Sequence, residues 1–155
     1  MKEIDELINQ LEANIEFENQ SDLTISKVAV GWHIDHSLKV LSGVVTVLKN
    51  SNPEEYQKKF NLMKKLIFLL GFIPRGKAKA PKTVRSFETI TKNDLLSQVA
   101  TAKKNSSEIQ NLNPKSFFKH PHFNDLNLKE TIYFLKLHTN HHLKIINDIK
   151  KKALL

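Results

Sequence analysis

Histidines carry the chemistry that this sequence can do. His33 and His36 stand in "GWHIDHSLKV" (31–40), His120 and His122 in "FFKHPHF" (117–123), and His138, His141 and His142 in "FLKLHTNHHLKII" (134–146). On a helix turning about 100° per residue, Phe134, Leu135, Ile145, Ile146 and Ile149 mark a core-facing side. His138 and His142 fall in the middle of that side, about 40° apart, while His141 falls at its edge and Tyr133, Asn140 and Lys144 point away. An unpaired buried polar group costs about 1–3 kcal/mol, so two imidazoles on an apolar face need partners. The i, i+4 spacing is the one by which a helix presents two imidazoles to one metal ion. Zinc, nickel, iron and cobalt accept such nitrogens. A third ligand is available from His33 or His36, both in the apolar arc of an earlier helix, and periodicity does not choose between them. Three histidines with open coordination positions make a catalytic site rather than a closed structural one.

Other side chains take supporting roles in this reading. His120 precedes Pro121 and is held extended, to pack, cap a helix end, donate to a group behind the ligands or line the site mouth. Trp32, one turn before His36, is core or the apolar wall of a pocket. His33 reads as packing, His141 as a supporting or surface residue, and Asp35 as solvated. The connection 71–92, "GFIPRGKAKAPKTVRSFETITK", is long for a helical protein and basic through Arg75, Lys77, Lys79, Lys82 and Arg85. Loops of this length are often functional. Arg75, Lys77 and Lys79 are the candidate contacts for an anionic ligand.

Helices must position these groups. Ile4, Leu7, Ile8, Leu11 and Ile15 follow one helix face. A second helix spans about 26–49, with Ala29, Trp32, His36, Val40, Gly43 and Val47 along a stripe. A third starts at Asn52 as N-cap, with Pro53 first and Glu55 closing a capping box, and ends near Gly71. A fourth covers about 93–111 with Leu95, Leu96, Val99 and Ala102 inward. The fifth opens at Asn127, boxed by Glu130, and runs close to the C-terminus. No period-two alternation appears, so no sheet is expected. The result is one all-α domain over 1–155, an antiparallel four-helix bundle with a long basic connection and an aromatic His-Pro loop.

The bulk numbers narrow the partners. With no cysteine among 155 residues, disulfides and thiolate sites are excluded. No apolar run reaches the roughly 20 residues of a membrane span, since "LIFLLGFI" (66–73) is too short. The N-terminus reads as an amphipathic helix rather than a signal peptide, which points to the cytoplasm. The net charge of +8 is spread along every segment, which disfavours nucleic acid as partner. Ile34, Leu38, Leu41 and Val45 on the second helix form an apolar strip that would permit a homodimer if exposed.

Trp32 and His36, together with the H-x-x-x-H element at His138 and His142, resemble the DinB-like superfamily. This superfamily includes bacillithiol and mycothiol transferases and thiol-dependent maleylpyruvate isomerases. The "FFKHPHF" loop followed by "LHTNHHLKII" is similar to a branch of unassigned function, and the likeness runs from the second helix to the end. The resemblance implies a four-helix bundle in up-down-down-up order. It also implies a divalent metal, zinc, nickel or iron, on His36, His138 and His142, and so selects His36 over His33. In the transferase members the open positions take a low-molecular-weight thiol, because a divalent ion favours thiolate at neutral pH. One position departs from the pattern: Asn124 stands where that branch carries glycine, and asparagine tolerates the left-handed backbone a glycine would supply. The function implied is thiol transfer to a small electrophilic substrate. The alternative is a non-enzymatic bundle serving as a stress-response or protein-interaction module.

Overall fold

In the computed structural model the described residues are 2–76 and 90–153; Lys77, Lys79, Lys82 and Arg85 lie outside them. The described residues are mostly helical, with one small two-stranded sheet. Helix α1 (Lys2–Ala13) buries Ile4, Leu7, Ile8 and Leu11, and Ile15 continues the face in a short 3-10 turn.

Helix α2 runs from Val30 to Asn50. It starts four residues later than periodicity suggests, because residues 18–29 are folded into turns that cap it. The Val30 and Gly31 amides donate to the Gln20 and Glu18 carbonyls at 2.9 Å, which satisfies donors that no side chain caps. A Cβ on Gly31 would sit 3.0 Å from the Glu18 oxygen, so this close approach needs glycine. The deepest stripe of α2 is Ile34, Leu38, Leu41, Val45 and Leu48, all nearly inaccessible. The strip suggested as a dimer face is therefore core, covered by α4 and α5, and that argument for a homodimer lapses. Of the other stripe, His36 is buried, whereas Gly43 and Val47 face solvent.

The expected helix from Asn52 to Gly71 divides in two. Asn52 does cap, accepting from the Glu54 amide and donating to Glu55, but only over a 3-10 turn, Pro53–Glu55. Gln57, Lys58 and Lys59 offer no apolar side to bury, and a helix without packing is marginal. Helix α3 (Leu62–Leu70) restarts with Asn61 as N-cap and ends at Gly71 in the left-handed conformation, φ 68°. Helix α4 (Lys92–Ile109) opens on a Thr91–Asp94 capping box and buries Leu95, Val99, Ala102, Ser106 and Ile109 at alternating spacings of four and three. Leu96 falls beside this stripe and is 42% exposed, not inward.

The aromatic loop is a hairpin. Strands β1 (Phe117–His120) and β2 (Asn124–Asn127) pair antiparallel, Phe118 opposite Leu126 and His120 opposite Asn124. Four residues per strand are too few for alternation to register as a pattern, which is why no sheet is expected from sequence. Asn124 has φ 62°, the left-handed backbone anticipated for it. Replacing Asn124 with alanine should cost about 1 kcal/mol, and with glycine roughly nothing, in denaturant unfolding. Helix α5 (Leu128–Lys152) begins in the expected capping box, with Asn127 accepting from the Glu130 amide and the Glu130 carboxylate returning to Asn127. Helices α1 and α2 each pack against both α4 and α5, and β1 lies on α2 and α5. This arrangement sets the histidines of α2 against those of α5.

Candidate metal centre

Helix α2 carries Trp32, His33 and His36 into the interior, and α5 carries His138 and His142 to meet them. The ring centroids stand 5.0 Å apart for His36–His138, 4.8 Å for His36–His142 and 4.7 Å for His138–His142. One nitrogen from each of the three lies within 4.8 Å of the others, so this group could hold a metal ion. His36 and His142 are buried and His138 is half-buried.

One distance tests the fit. Metal–nitrogen bonds of about 2.0–2.1 Å put neighbouring ligand nitrogens about 3.0–3.4 Å apart. His36 Nε2 and His138 Nε2 are 3.2 Å apart. His142 Nδ1 lies 2.9 Å from His33 Nδ1, and His33 Nε2 lies 2.9 Å from Ser26 Oγ. With His142 presenting Nε2 to an ion, its Nδ1–H donates to His33 Nδ1 and the His33 Nε2–H donates to Ser26 Oγ. Such a chain fixes ring orientation and tautomer. His138 Nδ1, by contrast, is buried without a partner among the described residues.

Burial holds several of these rings neutral, the state in which imidazole binds metals. Desolvation, then the neighbouring histidines, drives His138 and His142 far below the ordinary histidine range. The same causes lower His33 to about 4. None of the three ligand candidates is a carboxylate.

Among the surrounding residues, His33 and Asp35 differ from their sequence roles. Trp32 stacks on His36 with centroids 4.8 Å apart and planes at 11°, and so walls the site. His33 is no passive packing residue, since it joins His142 to Ser26. Asp35 is buried rather than solvated: Lys39 pairs with it at 2.9 Å and Gln98 donates to it at 2.8 Å. His141 donates from Nδ1 to the Ile73 carbonyl, tying the segment after α3 to α5. His120 stacks on Phe123 at 4.3 Å and meets Phe134 edge-on at 4.6 Å, and Phe134 in turn packs on His138 at 5.7 Å. Burial lowers His120 to about 4, and its Nδ1 accepts from the His122 amide. His120 thus sits one ring away from the triad.

Arg75 pairs with Asp148 at 2.6 Å. It lines a cavity of about 180 Å³ with Ile73, Leu137, His141 and Lys144. This cavity lies on the outer side of α5 and includes none of the three triad histidines. Lys77 and Lys79, the other candidate anion contacts, lie outside the described residues.

The His33–His142 contact joins residues 109 positions apart, and no spacing within either helix announces it. Replacing His33 with alanine should weaken metal binding about 10–100-fold while leaving the ion bound at one per chain, measured by competition with a chelator. Comparison with protein-family models, with curated proteins and with solved structures finds no match to this chain.

Proposed function

We propose that this protein is a metal-dependent enzyme of the DinB-like class that transfers a low-molecular-weight thiol to a small electrophile. In this reading α1, α2, α4 and α5 form the up-down-down-up bundle, and His36, His138 and His142 hold one zinc, nickel or iron ion. The observation that carries it is the triad: three imidazoles from two helices converge within 4.8 Å in a largely apolar interior. A divalent ion held there would supply Lewis acidity and favour thiolate over thiol near neutral pH. Three neutral ligands leave the ion's full charge available for that work.

The protein's own residues do the rest. His33, accepting at Nδ1, would fix the His142 tautomer that leaves its Nε2 free for an ion. Trp32 and Phe134 flank the triad on two sides and limit water, which strengthens electrostatic interactions inside. Reduced small thiols abound in the cytoplasm, the compartment this reading assigns. The alternative, a bundle acting as an interaction or stress-response module, draws support from the exposed apolar face of α3.

The test is a screen of the metal-loaded protein with small thiols and electrophiles, following thiol consumption. The reading expects turnover that vanishes in a His36→Ala variant. Uptake of metal without turnover of any thiol pair would leave the interaction module in its place.

A further inference from the structure

Helix α3 inverts the usual placement of apolar residues. Its nine residues, "LMKKLIFLL", bury none of their side chains fully. Leu62, Leu66 and Leu69, at i, i+4 and i+7, are 70%, 52% and 80% exposed. Met63 and Leu70 lie beside them, Phe60 precedes them at 79% exposed, and Phe72 follows. Isolated exposed apolar residues are ordinary, but a continuous ridge marks an interaction surface.

The orientation of this ridge is fixed by contacts on the opposite side of the helix. Lys64 pairs with Glu130 at 2.8 Å. Phe68 packs edge-on against Tyr133 at 5.0 Å and Phe123 at 6.1 Å, and the Tyr133 hydroxyl donates to the Phe68 carbonyl. Lys64, Ile67 and Phe68 therefore face the body, and the leucines face out.

Charge identifies what the ridge meets. Residues 56–76 contain five basic side chains, Lys58, Lys59, Lys64, Lys65 and Arg75, and no acidic one. Lys58 and Lys59, just before Phe60, and Lys65, within the helix, are exposed. A second copy docked face to face would set these lysines against their own kind. An anionic bilayer accepts both halves of the pattern: leucine and phenylalanine enter the boundary between headgroups and acyl chains while lysines meet the headgroups. No described helix is long and apolar enough to cross a membrane, so the contact is with the surface.

We infer that α3 and its flanks dock this protein on an anionic lipid surface, independently of any metal at the triad. The experiment is co-sedimentation of the full chain with phosphatidylcholine vesicles, with and without phosphatidylglycerol, at low and raised salt. Binding to the anionic vesicles alone, weakened by salt, is expected. A Leu66→Asp, Leu69→Asp variant should lose at least about tenfold in that affinity, and so should a Lys58→Glu, Lys59→Glu variant. Both change exposed side chains, and unchanged helical circular dichroism verifies that they fold. Absence of binding to anionic vesicles overturns the inference, as does equal binding by the variants. A dimer seen by light scattering and dissolved by the leucine substitutions would reassign the ridge to a second copy.

Discussion

A His36→Ala variant is expected to lose metal affinity by roughly two to three orders of magnitude. Binding free energies of about 10–16 kcal/mol for closed, four-ligand structural zinc sites share out at roughly 2.5–4 kcal/mol per ligand. His36 is the one member of the triad on α2, so its removal leaves two ligands on a single helix. His138 and His142 alone span one turn and close no cage around an ion. The His33→Ala effect should be smaller, because His33 touches His142 rather than the ion. Isothermal titration of both variants with zinc separates the two roles. Equal losses would mean that His33 ligates directly.

The second large effect falls on stability. Leu38→Ala should cost about 2–5 kcal/mol, since Leu38 is fully inaccessible within the interior shared by α2, α4 and α5. Against a typical total of about 5–15 kcal/mol, that is a large fraction. Urea unfolding should show a lower midpoint at unchanged slope. Had Ile34, Leu38, Leu41 and Val45 formed a dimer face, the same substitution would shift oligomeric state and leave the monomer's midpoint nearly alone. The two outcomes are separable in one set of samples.

What could be read from the sequence was local. The i, i+4 pair His138 and His142, the Asn127–Glu130 capping box and the left-handed backbone at Asn124 each depend on residues within a few positions, so spacing and residue type sufficed. What could not be read depends on the far side of a contact. Asp35 looked solvated because its own helix turns it from the apolar stripe. Its partner Gln98 lies on α4 and makes it buried. His33 looked like packing because nothing near it in the chain reveals His142. Helix α3 misled in another way: Asn52, Pro53 and Glu55 are a genuine helix-start signal, but they cap a single turn, and Asn61 starts the helix that persists. Capping chemistry marks where a helix can begin. Whether it continues depends on what its side chains find to bury.

Metal content by mass spectrometry, on protein purified without a histidine tag, decides whether the triad is a metal site. A His138→Ala, His142→Ala double variant should be measured beside it. About one divalent ion per wild-type chain and none in the double variant is the expected result, after both have been offered zinc, nickel and iron(II). A wild type that takes up none of these ions, or a double variant that holds as much as the wild type, would contradict it.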